Sequence, residues 1–203
     1  MLLFASGNRG KCGEAKELAL ECGVSLVSPF DLTASFCEQQ GLPVPKGAPP
    51  QVDETGRTYE ENAHLKAQAY FDWSGIPSVA DDSGLEVVAL GGEPGLYTAR
   101  YAGEGCSPDE NIQKLLMVLE GEQNRRALFI CVLCLVGFDS PMFIRGELDG
   151  EIALKKEEGL GFGYDPIFYL PQFGHTLSYL KGEGIDVPTH RRKALKQLFT
   201  LLS

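Results

Sequence analysis

The sequence predicts a mixed α/β fold, a central sheet with helices on its faces, and three observations carry that expectation. The chain opens as an apolar strand, a glycine-bearing turn and a helix with one apolar face. Further apolar stripes at helical spacing interleave with β-branched and aromatic runs, without strict strand–helix–strand alternation. A hairpin signal at Asp149-Gly150 breaks any all-parallel pattern.

Each element has a local reason. Leu2 to Ala5 reads as a short buried strand, S-G-N-R-G as a turn, and a helix follows from near Lys11, where Cys12, Ala15, Leu18, Ala19 and Cys22 share one face. Val24 to Val27 suits a second strand. From Pro29 to Arg57 periodicity is lost, and L-P-V-P-K-G-A-P-P favours an exposed loop. Thr58 with Glu61 forms a capping box, and Ala63, Ala67, Tyr70 and Phe71 give the next helix a buried face that ends near Trp73. Pro77 to Ala80 and Leu85 to Leu90 read as strands separated by D-D-S-G, with G-G-E-P-G turning the chain afterwards. Ser107, Pro108 and Glu110 start a third helix with Ile112, Leu115, Leu116 and Leu119 inward. Arg126 to Phe138 is a long strand, and Leu195, Leu198, Phe199 and Leu202 mark a C-terminal helix.

Length and charge limit the function classes. At 203 residues the chain suits one domain, or two lobes sharing a core. A formal charge of −10 argues against a polymeric nucleic-acid partner, whose affinity comes from Lys and Arg. The longest apolar run, Ala127 to Phe138, falls well short of the roughly 20 residues that span a bilayer, so no membrane partner is expected. No basic segment precedes Leu2, no signal peptide is read, and the cytoplasm is the expected location. The six cysteines read as free thiols; Cys131 and Cys134, three apart on a strand, face opposite ways and pack rather than bind metal.

Several segments can carry chemistry. Ser6-Gly7-Asn8-Arg9-Gly10-Lys11 lies where a strand hands over to a helix, so backbone N–H groups and the positive helix end can meet an anion. A Walker-type loop is excluded, because Ala5 and Cys12 stand where Gly and Ser or Thr are required. Asp81-Asp82-Ser83-Gly84 sets adjacent carboxylates at a strand end, one able to face a cleft while the other caps the turn. Glu54 with one acid of that pair suits Mg²⁺, a hard ion that takes one or two carboxylates and fills its shell with water and phosphate oxygens. Lys66 follows Asn62 by four residues on one polar helix face, whereas Glu60 reads as a solvated position. G-L-G-F-G-Y-D-P at 159–166 either brings backbone close to a flat ligand, with Phe162 or Tyr164 stacking on it, or packs its aromatics into the core. His190-Arg191-Arg192-Lys193 puts cations at a helix start, against its dipole, so they serve a ligand or solvation.

In order, S-G-N-R-G-K-C-G-E, E-T-G-R-T-Y-E-E-N-A-H-L-K-A, A-D-D-S-G-L, G-L-Y-T-A-R-Y-A-G, G-F-G-Y-D-P-I-F and H-R-R-K-A-L resemble the noncanonical purine NTP pyrophosphatases, also called inosine triphosphate pyrophosphatases. The likeness covers nearly the whole chain. It implies Mg²⁺-dependent hydrolysis of ITP, dITP and XTP to the nucleoside monophosphate and pyrophosphate, cleansing the nucleotide pool. It also implies an elongated mixed α/β fold with a cleft between two lobes, usually as a homodimer. By the same resemblance Ser6, Gly7, Asn8, Arg9, Gly10 and Lys11 hold the phosphates, Lys66 assists them, and Glu54 and Asp82 support the metal. Asp82 is also the candidate to orient or deprotonate the attacking water, and Ser83 contacts substrate. Phe162, Gly163, Tyr164, Asp165, His190 and Arg191 are placed around the base. Donors bonding a 6-oxo oxygen, from Arg191 or backbone N–H groups, would be left unpaired against adenine, a penalty of roughly 1–3 kcal/mol per group.

Two departures from that family's pattern stand out. Ile185 occupies the position, five residues before His190, where the family usually carries lysine; Lys181 or Arg192 could supply the charge instead. The insert L-P-V-P-K-G-A-P-P lengthens the loop that leads to Glu54. Two other functions fit the same pieces: a Maf-like pyrophosphatase acting on modified nucleotides, and a nucleotide-binding protein without catalysis.

Overall fold

The computed structural model describes residues 1–202 and divides the chain into two compact units, each with its own core. The first holds residues 1–82, 131–146 and 191 onward; the second holds 83–130 and 147–190.

The first unit opens with strand β1 (Leu2–Phe4) and helix α1 (Arg9–Glu21), followed by β2 (Leu26–Val27), α2 (Ala34–Gln40) and α3 (Tyr59–Ser74). The start of β3 (Ser78–Val87), the later part of β5 (Arg126–Val136), the start of β6 (Met142–Ile152) and nearly all of α6 (His190–Leu202) complete it. Its strands run β2-β1-β3-β5-β6, and β1 pairs in parallel with both β2 and β3. Leu2, Phe4, Val79, Cys131 and Leu133 from the sheet meet Ala15 and Leu18 of α1 and Leu195, Leu198 and Phe199 of α6 in one apolar cluster. These are the periodic positions of the two helices. Burying their stripes stabilises the unit by about 25 cal/mol for each Å² of apolar surface withdrawn from water.

The second unit contains the end of β3, β4 (Pro94–Gly95), α4 (Pro108–Val118), the start of β5, the end of β6, β7 (Phe168–Leu170), β8 (His175–Thr176) and α5 (Leu177–Gly182). Its strands run β3-β5-β6-β7-β8, with β4 antiparallel on β3 and antiparallel pairs at β6–β7 and β7–β8. Ile112, Leu115 and Leu119 close on Leu85, Val87, Phe129, Ile167, Phe168 and Leu170.

Ser107 with Glu110 forms the expected reciprocal capping box on α4, but at the head of α3 only half of the box forms: Thr58 accepts from the Glu61 N–H, while the Glu61 carboxylate accepts from the Arg57 N–H. Cys131 and Cys134 are buried and form no disulfide among the described residues.

Five local expectations are changed by the structure. Helix α1 begins at Arg9, earlier than expected, because the Asn8 side chain caps it. The expected loop from Pro29 to Arg57 contains α2, capped by Thr33. Asp81-Asp82-Ser83-Gly84 is no turn between strands, since β3 runs unbroken from Ser78 to Val87; beyond it, residues 88–90 coil as a 3₁₀ turn instead of extending. Asp149-Gly150 lies inside β6 and makes no hairpin. At Gly150 a Cβ would come within 2.6 Å of the Phe168 ring, so this glycine serves the close approach of β7 and not a turn.

Candidate functional site

In the first unit, the turn after β1, the loop after α2, α3 and β3 line a pocket of about 390 Å³. Ala5, Ser6, Gly7, Asn8 and Lys11 form one side, Pro50, Gln51, Val52 and Glu54 another, and Lys66, Tyr70 and Asp81 the remainder. The turn is self-supporting. Asn8 Oδ1 accepts from the N–H groups of Gly10 at 2.9 Å and Lys11 at 3.1 Å, and Ser6 Oγ accepts from the Asn8 N–H. The first free N–H groups of α1 are thus capped by the turn itself, which leaves the Lys11 side chain as its main cation toward the pocket. Arg9 instead lays its guanidinium 4.1 Å from the centre of the Phe30 ring.

Adjacent strand residues point to opposite faces, and the two aspartates serve different partners. Asp81 Oδ2 takes Lys11 Nζ at 2.9 Å and Arg191 Nε at 3.2 Å. Burial pushes this carboxyl up, but the charges of Lys11, Arg191 and Lys66 outweigh it and hold Asp81 well below the usual carboxylate range. Asp82 Oδ1 takes Lys66 Nζ at 2.7 Å, and its Oδ2 takes Asn62 Nδ2 at 3.3 Å. Here burial prevails: with Glu54 adding its like charge, the Asp82 carboxyl lies above the usual range despite Lys66 and Asn62. Lys66 is raised above an ordinary lysine, because Asp82 and Asp81 overcome the opposing effect of its burial.

Lys66 also reaches Glu54 Oε1 at 2.7 Å, so two carboxylates from distant segments meet on one ammonium. The chain places Glu54 through Asn62, whose Oδ1 accepts from the Gly56 N–H at 2.8 Å. A Cβ on Gly56 would stand 2.6 Å from that oxygen, which is why glycine is required there. Among the described residues no three His, Cys, Asp or Glu side chains gather as a metal shell. Two hard carboxylates beside an open pocket nevertheless fit Mg²⁺, which usually takes few protein ligands and completes its shell from water and phosphate oxygens.

In the second unit, Phe162 is 52 % exposed, and Lys181 Nζ lies 5.5 Å from the centre of its ring. Asp165 is buried and its Oδ2 accepts from the Phe162 N–H at 3.0 Å and from Lys181 at 2.8 Å. Gly161, at φ +128°, could not carry a side chain, because its Cβ would fall 2.3 Å from the same oxygen. Gly163 is half-buried at positive φ. Tyr164 is buried, with its hydroxyl donating to the Thr98 carbonyl. His190 is buried with its ring stacked 4.8 Å from that of Phe129, and Ser83 is half-buried.

The structure therefore gathers Ser6, Gly7, Asn8, Lys11, Glu54 and Lys66 at one pocket, with Asp82 bonded to Lys66. Arg191 is buried on Asp81 and Glu14 in the first unit, and Arg192 pairs with Glu21. Of the two cations that could stand in for a lysine at Ile185, Lys181 is the one beside Phe162. Sequence reasoning gave Asp81 no role beyond facing a cleft or capping a turn as one of an acid pair, and gave Asn62 none. Their signal was present, Asp81 beside Asp82 and Asn62 one helical turn before Lys66, but their partners are not legible from spacing.

A model described as the Ham1 family matches residues 2–201. A dITP/XTP pyrophosphatase of Staphylococcus aureus (strain MRSA252) is 41% identical over 203 residues, covering 100% of this chain and 96% of that protein. One from Photorhabdus laumondii is 38% identical over 206 residues, covering 99% and 97%. Among solved structures, a HAM1 protein from Coxiella burnetii superposes with a TM-score of 0.83 at 35% identity, covering 99% of this chain and 97% of that one. The Staphylococcus aureus Ham1 protein gives 0.78 at 39% identity with the same coverage.

Proposed function

The chain belongs to the Ham1 family, and on that premise we propose that its first-unit pocket holds the phosphates of a noncanonical purine nucleoside triphosphate. It is a nucleoside triphosphate pyrophosphatase, as the dITP/XTP pyrophosphatase names of its relatives indicate, and its proposed reaction takes dITP, XTP and ITP to the monophosphate and pyrophosphate. One observation carries the reading of the site: Lys66, Glu54 and Asp82 meet beside the pocket that Lys11 and the Ser6–Asn8 turn line.

A triphosphate is a polyanion entering a protein of charge −10, so binding depends on local cations. Lys11 and Lys66 supply two, and both are tethered to carboxylates that restrict their motion. Glu54 and Asp82 would hold Mg²⁺, which when bound offsets phosphate charge and stabilises the departing pyrophosphate. Asp82, its carboxyl raised by burial, is a stronger base than an exposed aspartate and stands as the group that orients the attacking water and takes its proton. The bond between the α and β phosphates breaks, and Lys11 and Lys66 are placed to meet the charge that grows on the leaving group. No covalent nucleophile is required. Ser83 is assigned to the substrate, and Phe162, Gly163, Tyr164, Asp165 and His190 to the base, whereas Arg191 is taken up by Asp81 and Glu14. Exposed Phe162 offers a stacking face there, while Tyr164, Asp165 and His190 act from buried positions.

The active form is proposed to be a homodimer, supported by exposed Leu65, Met142 and Phe143, the last with His64 against its ring. The cytoplasm is proposed as its location, supported by cysteines that form no disulfide among the described residues. No described helix is long and apolar enough to cross a membrane. Incubation with ITP and Mg²⁺ tests the function: IMP and pyrophosphate are expected, and release of orthophosphate alone would refute it.

A further inference from the structure

We propose that Asp81 is a positioning residue for this reaction, whose buried carboxylate aims the Lys11 ammonium at the substrate phosphates. The inference rests on the reading above, since it takes Lys11 as a phosphate contact.

The geometry is asymmetric. Asp81 Oδ2 lies 2.9 Å from Lys11 Nζ, with the Asp81 side chain 2 % exposed and that of Lys11 22 % exposed. Both residues line the pocket, but the acceptor shows almost none of its surface while the donor is partly open. An ammonium carries three hydrogens, so one given to Asp81 leaves two for a ligand. The same oxygen takes Arg191 Nε at 3.2 Å, and Arg191 Nη1 continues to Glu14 Oε2 at 3.0 Å. Glu14 lies one turn beyond Lys11 on α1, so the guanidinium joins Asp81 on β3 to the helix that carries the lysine. A carboxylate oxygen shared by an ammonium and a guanidinium is a poor proton acceptor, and Asp81 is not a second base.

Fixing Lys11 matters because its stem is flexible. A lysine restrained before binding loses less conformational freedom when phosphate arrives, so the benefit appears in affinity. Removing Asp81 also removes a negative charge near the phosphates, which alone would tighten binding. The two effects have opposite signs, and an experiment separates them.

Asp81→Asn is expected to raise KM for ITP with Mg²⁺ about tenfold or more, the scale of a lost charge-assisted hydrogen bond, with kcat within about threefold. In a Lys11→Ala background the same change should alter KM by less than about threefold, because the residue it acts through is gone. A KM that stays the same or falls in the single variant, or an equal rise in both backgrounds, would overturn the proposal. If Asp81→Asn does not fold, Asp81→Glu keeps the charge and displaces the carboxylate by one methylene. The same rise and the same loss of effect without Lys11 are expected, and a wild-type KM would overturn it. Calorimetric affinity for inorganic tripolyphosphate reads the cycle without turnover. Failure of the wild-type protein to cleave any purine triphosphate would sink the functional reading alone, whereas tripolyphosphate affinity indifferent to residue 81 would sink the positioning role alone.

Discussion

Lys66 donates to Asp82 across 2.7 Å, and the same ammonium reaches Glu54 at an equal distance. One cation on α3 therefore joins an exposed loop to the buried middle of a strand.

Replacing that cation tests the arrangement. Lys66→Met leaves two carboxylates facing each other with no counter-charge in the protein, and the side chains of Lys66 and Asp82 are only 15 % and 10 % exposed. A loss of about 3 kcal/mol in stability follows from breaking a pair this buried, a drop of roughly 6–12 °C in Tm. The same variant should lose about a hundredfold in kcat/KM for ITP. Activity within threefold of wild type would remove Lys66 from the phosphate site.

Asp82→Asn keeps the shape of the side chain and the contact with Lys66 but removes the proton acceptor. Turnover should fall by about two to four orders of magnitude while circular dichroism stays native. An unchanged kcat would take the base role from Asp82.

Metal removal probes the same carboxylates. With a chelator in excess over divalent ions, pyrophosphate release from ITP should cease, and added Mg²⁺ should restore it. Full activity in the chelator would mean that Glu54 and Asp82 hold no essential ion.

Cysteine reactivity follows from burial. The Cys12 thiol is pushed up to about 11 by burial, and that of Cys134 to about 12. A raised thiol stays protonated at pH 8 and is a weak nucleophile. Brief treatment of the native protein with iodoacetamide at that pH should label the half-exposed Cys22 and Cys106 and spare Cys12 and Cys134, as peptide mass spectrometry would report. Early labelling of Cys12 would contradict the packing around α1.

A glycine near the base-end segment carries a structural prediction. A Cβ at Gly159 would stand 2.1 Å from the Ser178 carbonyl oxygen, a backbone atom that cannot swing aside. Gly159→Ala should cost about 2 kcal/mol or more and lower Tm by several degrees. A variant as stable as wild type would show that α5 is free to shift.

The amino-acid sequence by itself determined the helices and their inward faces, because a periodic stripe and a cap such as Thr58 or Ser107 depend only on residues a turn apart. The strand–turn–helix opening that carries Lys11 was legible for the same reason, whereas Lys66 and Asp82 were singled out by the likeness of their motifs to those of a known family. Tertiary structure alone decided what those residues touch. Asp-Asp-Ser-Gly and Asp-Gly have the composition of turns, yet both run inside strands, since strand pairing outweighs local turn preference and Gly150 has to admit the Phe168 ring. Asp81 looked like a companion of Asp82, but its carboxylate is claimed by Lys11 and Arg191, which lie far along the chain in either direction. Burial, and with it the opposite pKa shifts of two neighbouring aspartates, exists only once distant segments have closed around them, and no local rule registers that closure.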